Sequence, residues 1–145
     1  VVSAETDLFE GLAGILVTAG IGVLATSEPF AADAIAITVG AIPQEPAQAI
    51  ALTPYVVSAD PVLNDAFIAV QVMLRGTTDP YSVVQRSAAI FDQFGGLEDQ
   101  DFGGVHLVQM TLHSGRLDGK DDSQRWLCSE NYYCRVNWPT RYRTE

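Results

Sequence analysis

AIAITVGAIPQEPAQAIALTPYVV, residues 34–57, decides the fold class of this chain. Ile35, Ile37 and Val39 alternate with small or polar residues, and Ile50, Leu52, Tyr55 and Val57 form a second apolar run. Period-2 spacing and β-branched content predict a strand for each run. Pro43 and Pro46 stand between them, and proline cannot continue a ladder because its nitrogen carries no hydrogen. The P-x-x-P segment therefore reads as a rigid hairpin connection, a better account than a ligand for an SH3 groove. Nothing in the stretch carries out chemistry, which is the first sign of a protein built to assemble.

The neighbouring segments extend this reading. Residues 67–75 alternate, with Ile68, Val70, Val72 and Leu74 on one face and Gln71 and Arg75 on the other, as in a half-buried antiparallel strand. Upstream, residues 4–19 predict a helix. Ser3 is its N-cap, Glu5 and Asp7 sit at the positive end of its dipole, Leu8, Leu12, Ile15 and Ala19 form its stripe, and Gly20 is its stop. A second helix opens at Asp79-Pro80 and closes at Gly95-Gly96, with a stripe of Val83, Val84, Ser87, Ala88, Ile90, Phe91 and Phe94. Residues 105–117 and 125–138 predict a hairpin turning at Asp118-Gly119. Val108, Met110 and Leu112 share one face of its first strand, and Cys128, Tyr132, Cys134, Val136 and Trp138 one face of its second. Residues 26–33, 58–64 and the glycine-bracketed LEDQDF read as loops.

The predicted order is α-β-β-β-α-β-β. The expected fold is α+β, a mainly antiparallel sheet of four to five strands with two helices packed on one face. At 145 residues the chain suits one domain, taken as residues 1–138, and residues 139–145 are expected to leave it as a tail and inter-subunit arm. The apolar run 11–26 is shorter than the roughly 20 residues of a membrane helix and is broken by Gly14, Gly20 and Gly22, so a buried helix with a short extended segment is expected, without a membrane partner. Cys128 and Cys134 lie about 20 Å apart along one strand, out of disulfide reach, and read as reduced core thiols.

Charge is distributed unevenly. The net charge is −10, yet residues 1–74 contain no Lys or Arg, while Glu5, Asp7, Glu10, Glu28, Asp33, Glu45, Asp60 and Asp65 place −8 there. From Arg75 onward basic and acidic side chains nearly balance. Such a front half repels nucleic-acid phosphates. The reading is either solubility or a polarised subunit whose two ends meet oppositely charged neighbours.

Catalytic equipment is missing from the pattern. His106 and His113, the only histidines, are about 23 Å apart in one strand and cannot share a metal. Asp118, Asp121 and Asp122 lack the alternating spacing and closing Glu of a calcium loop. No nucleophile–base constellation or phosphate-cradling glycine loop is present, and no cofactor is expected. Trp126, Tyr132, Tyr133 and Trp138 suit a strand with a core face better than a base-stacking platform.

Three stretches, in this order, carry a resemblance. They are IAITVGAIPQEPAQAIALTPY, residues 35–55; FIAVQVMLRGTTDPYSVVQRSAAIFDQF, residues 67–94; and GRLDGKDDSQRWLCSENYYCRVNWP, residues 115–139. With the N-terminal helix, the chain resembles the tail terminator and minor capsid proteins of long-tailed, siphovirus-type bacteriophages over most of residues 5–139. The resemblance implies a ring, normally of six copies, on the head-proximal end of the tail tube, assembled in the host cytoplasm and carried in the virion. Its implied partners are the chain itself, the tail tube protein and the head–tail connector or stopper, with genomic DNA passing through the channel unbound. It implies a structural protein and no enzyme. Candidate contact residues are Arg75; Pro43, Glu45 and Pro46 of the connection; Asp118, Lys120 and Asp121 of the hairpin tip; and Arg141 and Arg143 of the tail. Another neck or tube component and a small-ligand-binding regulatory α+β domain are the alternatives, the latter needing a pocket with convergent polar groups.

Overall fold

The structure, a computed structural model, describes residues 3–24 and 31–145. Most of the loop expected at 26–33, including Glu28 and Pro29, lies outside the described residues. In chain order the elements are α1 (Ala4–Thr18), β1 (Val23–Leu24), β2 (Ile35–Val39), β3 (Gln48–Ala59), β4 (Asp65–Arg75), α2 (Tyr81–Phe94), β5 (Glu98–Phe102), β6 (Val105–Lys120) and β7 (Trp126–Asn137). The α+β class holds, but the sheet has seven strands, ordered β1-β2-β3-β4-β7-β6-β5, where four to five were expected.

The sheet is also mixed. β1 runs parallel to β2, and β2 parallel to β3, with Ile35 opposite Gln48 and Val39 opposite Leu52. The proline segment is thus no hairpin turn; residues 40–47 carry the chain back along β2 before β3 begins. Parallel neighbours usually need a longer crossover. Here β2 has only five residues, about 17 Å, which an eight-residue connection spans when extended. β3–β4, β4–β7, β6–β7 and β5–β6 are antiparallel.

One face of this sheet makes the core. Ile68, Val70, Val72 and Leu74 of β4 pair in register with Cys134, Tyr132, Glu130 and Cys128 of β7, all buried. Both helices close over them, α1 with Leu8, Leu12 and Leu16 and α2 with Val83, Ile90 and Phe94. Phe94 meets Tyr132 edge-on at 5.6 Å between ring centroids. Ser3 caps α1 as predicted, its hydroxyl accepting from the Thr6 amide, although Leu16 replaces Ala19 in the buried stripe. At α2 the Asp79 carboxylate accepts from the Tyr81 amide at 3.0 Å, and Gly96 leaves the helix at φ 81°. Val84 and Phe91, counted in the predicted stripe, stand exposed.

Two local corrections concern β5 and β6. LEDQDF is a strand and not a loop: β5 pairs with the start of β6, and its Phe102 ring occupies the space a side chain on Gly11 of α1 would need. β6 uses 16 residues against 12 of β7, and its register shifts place single extra residues at Val108, His113 and Asp118. Each bulge reverses the alternation. Leu107, Met110 and Leu112 therefore share the inner side, and Val108 does not.

Candidate assembly surfaces

The connection containing Pro43, Glu45 and Pro46 is held from below by Arg75. Arg75 alternates with core-facing Leu74 and so projects from the opposite face of β4. Its Nε donates to the Ala47 carbonyl at 2.6 Å, and Nη2 to the carbonyls of Pro43 at 2.5 Å and Pro46 at 2.9 Å, with a longer contact to Gln44. Arg75 is only 7 % exposed, and burial pulls its pKa below the ordinary guanidinium value. Arg75, a candidate contact to a neighbour, thus grips its own chain. Pro46 is buried and follows a cis peptide bond, Pro43 is half-buried, and Glu45 is exposed at the outer side of the loop.

At the hairpin tip, Asp118 and Gly119 lie within β6 and not in the turn: Asp118 is the extra residue of the last bulge and Gly119 takes φ 93°, where a side chain would be strained. The reversal occupies residues 121–125. Asp121 organises it, accepting through Oδ1 from the amides of Ser123 and Arg125, and through Oδ2 from Arg125 Nε at 2.8 Å. These bonds, the Arg125 amide foremost, lower the Asp121 pKa. Asp118 accepts from Arg116 Nε at 2.6 Å. Lys120 is exposed and sits 5.3 Å from the Trp126 ring centroid.

The tail does not leave the domain. Residues 139–145 fold back over the β3–β4 turn, where Arg143 Nε donates to the Asp60 carbonyl at 2.7 Å and the Leu63 carbonyl at 3.0 Å, and Nη2 to that of Asp65. The Asn64 amide donates to the Glu145 carbonyl, and Arg143 stacks 5.2 Å from the Trp138 ring. Asp60 preforms the turn by accepting from the amides of Val62 and Leu63, which lowers its pKa. Arg141 stays outside, beside a Tyr142 that is 81 % exposed.

Sequence reasoning missed one polar group in the core. Glu130 is 3 % exposed and accepts from the hydroxyls of Ser87, on α2, and Tyr132. Burial, and then the nearby Glu130, push the Cys128 thiol up to about 11, and burial alone pushes the Cys134 thiol up to about 12. Both cysteines are buried and unbridged, as expected. His106 lies between Asp99 and Asp101, while His113 stacks on Tyr133 at 4.4 Å. Among the described residues no three His, Cys, Asp or Glu side chains converge on a metal position, and no helix is long and apolar enough to cross a membrane.

Comparison with known proteins agrees with this arrangement of helices and sheet. A chain from the virion of a native gene transfer agent particle shares the fold, with a TM-score of 0.63 over 91 % of this chain and 94 % of that one, at 13 % identity. No curated protein matches the sequence. The family model described as bacteriophage tail terminator protein matches residues 15–138, from the end of α1 to just past β7. The chain therefore belongs to the bacteriophage tail terminator protein family, and is a structural protein of the virion tail.

Proposed function

We propose that copies of this chain close into a ring, six in number as the resemblance implies, on the head-proximal end of the tail tube. The ring ends tube polymerisation and presents the head connector or stopper with a surface to join. The reading rests on the family match across residues 15–138. The subunit itself supports it: charge is polarised along the chain, and the crossover loop, the hairpin tip and the tail are held in place by Arg75, Asp121 and Arg143. The work is mechanical, with no substrate turned over and no cofactor held.

In this reading the acid-only half of the chain, residues 1–74, contributes the channel wall. Phosphates are repelled by Asp and Glu, so DNA passes without adhering. The test is polymerisation of the tail tube protein with and without this chain. Tubes capped at one end and held at their starting length are expected when it is present. Tubes that elongate equally in both cases exclude the reading.

A further inference from the structure

Among the described residues, the sheet leaves two strand edges without a partner on its opposite sides. β2 covers β3 only as far as Leu52. Along residues 53–59, β3 has β4 on one side and, among the described residues, no strand on the other. At the other side β5 covers β6 only over residues 105–109, with one further backbone pair at Met110. Along residues 111–120, β6 has β7 on one side and, among the described residues, no strand on the other. Rows of unpaired amides and carbonyls are templates for another strand.

Apolar side chains accompany both edges. Tyr55, Val56 and Val57 are exposed on β3, and Leu112 and Leu117 on β6. By register Leu112 lies opposite buried Tyr132 and Leu117 opposite buried Cys128, so both belong to the helix-covered side but are left bare. The edges differ in charge. Residues 53–59 of the β3 edge carry no charge, and Asp60 follows them with Arg143 beside it; on the β6 edge Asp118 neutralises Arg116, which leaves Lys120 as the net positive charge.

We infer that neighbouring subunits join head to tail, with the β6 edge of one copy along the β3 edge of the next. This rests on the ring reading above and names its joint. Two unlike edges on one molecule form a heterologous contact, which closes into a ring when the rotation permits. The paired stretch is short. Pro54 has no amide to give and Val57 is the extra residue of a bulge in β3, leaving residues 55–56 and 58–59, while the bulges at His113 and Asp118 leave four regular residues, 114–117, between them. Bulges and proline are the usual means of keeping an edge from pairing indiscriminately, and here they confine the joint to a few residues.

The test uses the full chain with Val57→Asp or Leu117→Asp, two positions each 46 % exposed and so tolerant of charge. Circular dichroism and melting temperature confirm the fold of each, and native mass measurement gives its assembly state. Wild type is expected to form rings and each variant to remain monomeric. Mixed, the two variants retain one intact edge of each kind and are expected to yield a dimer with one copy of each and nothing larger. Variants that still form rings overturn the joint but leave the ring reading intact, as does a mixture without mixed dimers. A wild type that stays monomeric overturns the ring reading and the joint with it. As a second measurement, Tyr55→Cys with Arg116→Cys is expected to give an oxidised ladder of subunit multiples; a ladder absent from wild-type-sized rings again overturns the joint.

Discussion

Replacing Arg75 by methionine keeps most of the aliphatic stem and removes every donor beneath the crossover loop. Four carbonyls, those of Pro43, Gln44, Pro46 and Ala47, lose their partner. A hydrogen bond from a charged donor contributes about 1.5–3 kcal/mol, but such contributions do not add fully. Only the bond to Pro46 is fully buried, so water can reach the other carbonyls once the guanidinium is gone. The desolvation of that guanidinium, which lowers its pKa, is also relieved. The net loss is about 3 kcal/mol, or about 6–12 °C in melting temperature for a chain of this size. Urea unfolding followed by circular dichroism measures it as a lower midpoint at unchanged slope. Arg75→Lys recovers at most one of the bonds, because an ammonium cannot span the loop as a guanidinium does. Met and Lys variants melting within about 2 °C of wild type would refute the idea that Arg75 holds the crossover.

Other consequences follow from the same geometry. Cys128 and Cys134, with thiols raised to about 11 and 12 by burial, are expected to resist maleimide at pH 8 in the folded protein and react fully in denaturant; fast labelling of the native chain would contradict their burial. Asp60 and Asp121 have carboxyls depressed below the usual range by backbone amides. Their stabilisation is therefore present above about pH 4, the unfolded carboxyl range, and is lost as pH falls through the folded values. Asp121→Asn should flatten the fall in melting temperature between pH 5 and 2 in a thermal titration. Deleting residues 139–145 removes the Arg143 and Glu145 contacts to the β3–β4 turn and is expected to cost about 1–2 kcal/mol, read as a lower melting temperature and faster amide exchange at Asn64. Arg143→Ala should reproduce most of that loss.

The elements whose signals are local were legible before the structure. Alternation marked β4, the Asp79-Pro80 pair marked the start of α2, and the Ser3 cap marked α1, because each is decided by residues in contact along the chain. What escaped is decided by partners far away in sequence. The parallel sense of β2 and β3 depends on Arg75, 28 residues beyond Ala47, tying down the returning loop. Glu98, Asp99 and Asp101 suit no strand by propensity, yet β5 lies at the sheet edge, where charges face water and deter further pairing. The bulges of β6 shift its alternation by one residue each time, so a fixed period of two assigns Val108 to the wrong side. A buried Glu130 is visible only once Ser87 and Tyr132 are seen to donate to it. Of the candidate contacts, Arg75 and Arg143 bond to loops distant in sequence, and only Asp121 bonds within its own turn, the one tie of the three that neighbouring residues could announce.

Those internal ties also bear on assembly. A loop that must order on association opposes binding by about 0.5–1.5 kcal/mol per immobilised side chain. Arg75, Asp121 and Arg143 settle that ordering within the monomer, so Glu45, Lys120, Arg141 and Tyr142 are carried outward on segments already in place. Removing a tie should then weaken association more than removing the outward side chain it supports. For the crossover loop, Arg75→Met is expected to impair subunit association, followed by concentration-dependent mass measurement well below the variant's melting temperature, more than Glu45→Ala does. Equal effects, or a stronger one from Glu45→Ala, would show that the loop acts through its charge and not through its preformed shape.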